Sequence, residues 1–238
     1  MKFFSVLALY VFACVSVVYG NYNYTASDVF GNDSCFYCQA ELSVSLLNKE
    51  QLFTAEVFSV MEKDKDLWYY VEVIGENGDK RVSSYYNGIF ISLVNNRKRM
   101  YDVAKDSLLF KEKTVRGKIM KGIHKSGVPA LLVPLLVKET VNDLLMSKNV
   151  CVEVVCDSVL NDNQPIMAVN LKEFTNNNVA GEVLLLVEKM TKRPVSYKFI
   201  TNPGTLGEIV SEIKFTTVCN DCDVKKELIK CFKSLQNE

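Results

Sequence analysis

The chain holds one histidine, His124, among 238 residues. That scarcity excludes most metal centres built from imidazoles and weakens any hydrolase triad. The sequence also lacks a Gly-X-Ser-X-Gly elbow and a glycine-rich phosphate loop. Lys121, Gly122, Lys125 and Ser126 make the surroundings of His124 a surface helix end rather than the pocket of a catalytic base. Net charge is missing as well, with 28 basic against 28 acidic residues. Binding to nucleic acid needs a clustered excess of Lys and Arg, so a nucleic-acid partner is excluded. The short basic run Arg97-Lys98-Arg99 fits a solvated turn. There are no internal repeats or low-complexity tracts. The expectation is a protein that is not an enzyme, with no cofactor and no metal.

What is present begins at the N-terminus: Lys2, an apolar run from Phe3 to Val18, then Gly20. This order predicts a secretory signal peptide over residues 1–20, cut before Asn21. The run sits at the low end of the roughly 17–25 residues that span a bilayer, so no transmembrane anchor is expected after cleavage. The mature protein is expected to be secreted or periplasmic. A second reading takes Val11-Phe12-Ala13-Cys14 as a loose lipobox with a lipid anchor on Cys14, against which stand the bulky Phe12 and the apolar Val15–Val18. Residues 21–34 form a polar, exposed lead, and two sequons there make Asn23 and Asn32 glycosylation candidates. Residues 35–238 are expected as a single β-rich domain ending in an amphipathic helix.

The disulfide candidates are Cys35, Cys38, Cys151, Cys156, Cys219, Cys222 and Cys231, since an oxidising compartment favours bridges over metal ligation. Seven is odd, so one thiol has another fate. Cys35-Phe36-Tyr37-Cys38 and Cys219-Asn220-Asp221-Cys222 both have the spacing of redox thiols and zinc knuckles. A redox pair needs a lowered thiolate pKa at a strand-to-helix junction. Cys35 has only a polar lead before it, whereas Cys219 lies between a strand and a helix; structural staples are favoured for both. Cys151 and Cys156, five apart on one strand, would face opposite sides on the order of 16 Å apart. At least one of them is expected to tie the sheet to a terminal pair.

From Gln51 onward the pattern is an antiparallel meander. Asp66–Ile74 carries Leu67, Tyr69, Val71 and Val73 on one face and Trp68, Tyr70, Glu72 and Ile74 on the other, so it is predicted to be covered on both sides. Asn77-Gly78 and Asn87-Gly88 are hairpin signals, and they delimit strands Lys80–Tyr86 and Ile89–Val94. Asn95–Lys98 is read as a turn before Arg99–Ala104. Short helices suit Thr114–His124 and Thr140–Met146. Pro129–Val137 is apolar but carries two prolines, which predicts a hydrophobic lid or plug rather than a regular helix or central strand. Strands resume at Val150–Ser158, Ile166–Phe174, Glu182–Met190, Val195–Thr201 and Ile209–Thr217. Asp223–Leu235 is an amphipathic helix with Val224, Leu228, Cys231, Phe232 and Leu235 on one face. Residues 35–47 suit either helix or strand.

Two stretches resemble the bacterial LolA-like lipoprotein carriers. One is Tyr85-Tyr86-Asn87-Gly88-Ile89-Phe90-Ile91, followed by a basic turn and Met100-Tyr101-Asp102. The other is Leu184–Met190 leading through Thr191-Lys192-Arg193 to Pro194-Val195. The resemblance covers about residues 50–217, and the cysteines and sequons depart from the family's pattern. It implies a mainly β (α+β) fold: a strongly curved antiparallel sheet or incomplete barrel, with short helices over its concave face. The function expected from it is an exported carrier of a lipid or other hydrophobic small molecule. Candidate ligand-binding residues are Phe53, Trp68, Tyr70, Phe90, Leu132, Leu135 and Leu185. Two other classes stand beside it: a disulfide-stapled secreted or cell-surface protein that works by protein contact, and a thiol-disulfide oxidoreductase.

Overall fold

The computed structural model describes residues 35–47, 49–61, 67–106, 115–136, 150–159, 165–175, 178–220 and 223–237. The segments 1–20 and 21–34, with Cys14, Asn23 and Asn32, lie outside the described residues, as do Cys222 and the helix expected at Thr140–Met146. The first strands are β1 (Cys35–Leu46), β2 (Lys49–Met61), β3 (Leu67–Gly75), β4 (Lys80–Tyr86), β5 (Ile89–Val94) and β6 (Arg97–Asp102). After a helical insert come β7 (Val150–Val159), β8 (Pro165–Thr175), β9 (Asn178–Glu188), β10 (Pro194–Thr201) and β11 (Ile209–Cys219). All eleven form one antiparallel sheet in the order β6-β5-β4-β3-β2-β1-β11-β10-β9-β8-β7. The sheet is therefore two meanders joined at β1 and β11. It stays open, with β6 and β7 at its edges.

Turn chemistry sets the first meander. Asn87 and Gly88 take φ of 47° and 80°, the positive values that a two-residue hairpin turn of matching twist requires at both positions. Asn95 and Asn96 make the same kind of turn at 51° and 59°, because asparagine tolerates the left-handed region. Strand β6 consequently starts at Arg97, and the basic run lies on an exposed edge strand instead of in a turn. A second departure is in β7, where the register steps from Val155 to Asp157 and leaves Cys156 at a bulge. Strict alternation between Cys151 and Cys156, assumed from the sequence, is interrupted there.

Residues 35–46 resolve as a strand in the middle of the sheet. Cys38, Ala40 and Leu42 alternate as buried residues, and β1 bonds β2 on one side and β11 on the other. Strand β3 is covered on both faces. Leu67, Tyr69, Val71 and Val73 belong to one core with the helical insert. Tyr70 belongs to a second core on the opposite face, and Trp68 packs against it.

The second core is closed by the C-terminal helix, called α3 here (Asp223–Asn237), which buries Val224, Leu228, Phe232 and Leu235. The Lys225 ammonium sits 4.9 Å from the Trp68 ring centroid. At the far end Lys98 donates to the carbonyls of Leu235 and Gln236 at 3.3 and 3.2 Å, satisfying acceptors that the helix end leaves open. Among the described residues no helix is long and apolar enough to cross a membrane.

Candidate functional site

The insert between β6 and β7 builds the other cover. Its described residues form α1 (Val115–Ser126), a 3-10 turn (Ala130–Leu132) and α2 (Val133–Leu136). The two prolines act as expected: the apolar plug is a short turn and a single helical turn, not a regular element. Leu132, Val133, Leu135 and Leu136 are all nearly inaccessible and join the core of the concave face.

Register shows how that face is assembled. Val169 (β8), Leu185 (β9), Tyr197 (β10), Ile213 (β11), Leu42 (β1) and Phe53 (β2) are successive cross-strand partners. Partners in an antiparallel ladder share a face, so the six side chains form one belt across the junction of the two meanders. Its first five members are at most 3% exposed. The belt and the plug belong to one apolar core that spans both halves of the sheet.

α1 lies over β4 and β5, where the inward positions Ser83 and Ser92 are small and buried. Their size admits the helix closely. An added Cβ at Gly122 would lie 2.7 Å from the Tyr69 hydroxyl and 2.8 Å from Phe90 Cε2. Tyr69 and Ser83 hydroxyls share a hydrogen bond of 3.1 Å, and burial pushes the Tyr69 phenol far above its usual pKa, with the Ser83 bond opposing that shift. The helix ends on Gly127 at φ 64°, the left-handed position that favours glycine. Arg81, held by Asp79 through two bonds of 3.0 and 2.8 Å, donates to the Gly127 carbonyl at 3.0 Å. The insert is thus clamped at the joint between α1 and the plug. His124 is an exposed residue of the last turn of α1.

Of the seven candidate ligand residues, five lie on this side: Leu132, Leu135 and Leu185 are buried in its core, Phe53 packs against that core, and Phe90 is buried beneath Gly122 of α1. Trp68 and Tyr70 sit on the opposite face beneath α3. Alternation along β3 already separates them from Tyr69 and Val71. Gly122, Ser83 and Ser92 were missed. The sequence signal for them is weak: a lone glycine in a helical stretch and serines at alternate strand positions.

The thiols are distributed over both faces. Cys38 is fully buried in the concave core, and burial raises its pKa far above the usual thiol range, with the Glu56 charge adding to the shift. Cys35 and Cys231 pack against the core under α3, and burial raises the Cys231 pKa first, followed by the nearby glutamates. Cys219 is the register partner of Tyr37. Cys35, Cys38 and Cys231 form no disulfide, and Cys38 and Cys231 are the reverse of the activated, low-pKa thiols that redox catalysis uses. Tyr37 and Tyr70 donate to Glu56 and Glu72 at 3.0 and 2.5 Å. Burial first, then Glu56, pushes the Tyr37 phenol up to about 12. Among the described residues no group of three or more His, Cys, Asp and Glu side chains is arranged to hold a metal ion.

No family model matches the chain, and no curated protein does. Among solved structures it is similar to the lipoprotein LppX of Mycobacterium tuberculosis, at 8% identity and a TM-score of 0.42, over 84% of this chain and 93% of that one. It is similar to MucB in the Pseudomonas aeruginosa MucA/MucB complex, at 10% identity and a TM-score of 0.42, over 85% of this chain but only 57% of that one. A LolA superfamily protein from Nitrosomonas europaea is 10% identical with a TM-score of 0.29, over 82% of this chain and 90% of that one.

Proposed function

We propose that the protein is an exported, non-enzymatic binding protein that takes a lipid or other apolar molecule between the concave face of its sheet and the insert covering it. The observation that carries this reading is the apolar belt from Val169 to Phe53, closed by a separate apolar plug that is not part of the sheet. The plug, one turn and one helical turn joined to the sheet through Arg81 and the Gly127 carbonyl, contributes no strand to the ladder, so displacing it would break no strand pairing. Ligand burial would contribute about 25 cal/mol per Å² of apolar surface before association costs are subtracted. Export rests on the apolar N-terminal run behind Lys2.

Native mass spectrometry of the purified protein, with organic extraction of whatever accompanies it, tests the reading. The expected result is a stoichiometric apolar molecule that leaves on denaturation, or saturable uptake of a fluorescent fatty acid by stripped protein. A bare mass together with no uptake overturns it.

A second reading, a disulfide-stapled protein that acts by contact, draws support from the register Cys38↔Val218 and Tyr37↔Cys219. Pairing of β1 with β11 brings Cys35 and Cys38 to the same end of the sheet as Cys219, although they lie near opposite ends of the chain. Mass mapping without reduction separates the readings: a bridge between these segments and no ligand favours the second.

A further inference from the structure

We propose a second binding site on the outer face of the sheet, for a small organic cation with an apolar body, such as an alkyl- or arylammonium. A pocket of about 430 Å³ lies across β11, β1, β2 and β3, within the roughly 300–1,000 Å³ of small-molecule sites. Register defines its walls. Lys214, Glu41, Thr54 and Ile74 are successive cross-strand partners, and Glu212, Ser43 and Leu52 form the adjacent row. Both rows alternate with Leu42 and Phe53 of the concave belt and so face the other way, while Leu42 and Phe53 also border the pocket; the probes and carboxylate variants below separate this site from the lipid-binding reading.

Its chemistry is one-sided. Leu52 and Ile74 are 43% and 38% exposed, large apolar side chains left open on a sheet face. Around them stand Glu41, Glu50, Glu76 and Glu212, against one cation, Lys214. Lys214 turns to Glu212 at 3.8 Å, and among the described residues no ion pair engages Glu41, Glu50 or Glu76. In a chain whose charges balance overall, this local excess of carboxylates over an apolar floor is complementary to an ammonium carried on a hydrocarbon. The four strands are interior strands of the sheet. An extended peptide has no free edge to pair with there, which favours a compact ligand over β-augmentation.

The test is isothermal titration of the full protein with n-octylammonium, n-butylammonium and octanoate at low salt. Binding of octylammonium in preference to both other probes is expected, weakened by raising the ionic strength to about 0.5 M, where charges are screened within a few ångströms. Glu41→Gln combined with Glu76→Gln should weaken octylammonium about fivefold, as for two solvent-exposed charge contacts. Methyl NMR shifts confined to Leu52 and Ile74 in the unaltered protein locate the site without relying on the variant's folding. Equal binding of octanoate, no binding of octylammonium, or shifts confined to the concave face would overturn the proposal.

Discussion

Gly122 sets the distance between α1 and the sheet. Two effects compete when it becomes alanine. A helix interior gains up to about 1 kcal/mol from replacing glycine, whereas forcing a methyl group into a filled core costs about 1–3 kcal/mol. The second should win, because the atoms it meets at 2.7 and 2.8 Å belong to Tyr69 and Phe90, each 1% exposed and unable to swing aside. Gly122→Ala is expected to lower the urea midpoint, and Gly122→Ala with Phe90→Leu to recover part of the loss. Sequence patterning made Phe90 legible as an inward apolar residue. It could not reveal Gly122, since a glycine under a neighbouring strand and a glycine facing water have the same spelling; only the approach of Tyr69 and Phe90 distinguishes them.

The helix α3 is an element whose role follows from its periodicity, and the spacing of Val224, Leu228, Phe232 and Leu235 was enough to predict an amphipathic helix. The hairpins at Asn77-Gly78 and Asn87-Gly88 were equally legible from turn chemistry. What alternation could not supply was which cover belongs to which face, because β3 is apolar on both sides and either cover fits either side by composition. The structure puts Trp68 under α3, with the Lys225 ammonium over its ring. Leu228 is completely buried there. Leu228→Ala should cost about 2–5 kcal/mol, measured by urea denaturation, and should shift the emission of Trp68 to the red as the helix loosens. Because this is the chain's single tryptophan, its emission should barely respond when an apolar ligand enters the concave side. A large change on ligand uptake with α3 still docked would contradict that assignment of faces.

Across the whole molecule, buried phenols and thiols sit on both faces of the sheet, which gives its stability a pH profile. Burial raises the pKa of Tyr37 to about 12 and raises those of Tyr69, Tyr70 and Tyr197 further; the thiols of Cys38 and Cys231 are raised as well. In the unfolded chain thiols ionise near 8.5 and phenols near 10. Unfolded protein therefore releases protons that the fold retains. The stabilisation is complete below about pH 8.5 and drains away as pH climbs through about 12. Guanidinium midpoints should be flat from pH 7 to about 8 and then fall steadily, with tyrosinate absorbance rising together with loss of structure. Tyrosinate that appears near pH 10 with the sheet intact would show that these phenols are accessible. A different consequence follows from the pairing of β1 with β11. Among the described strands, β1 finds its second partner only when β11, the last of them, has been synthesised, so these long-range contacts lie at the centre of the sheet instead of its rim. Such contacts form slowly. Until they do, β1 is an open edge with its apolar row unshielded, the configuration most prone to pairing with another chain. A nascent or C-terminally shortened protein is thus most exposed to self-association along the strand that the finished molecule protects best.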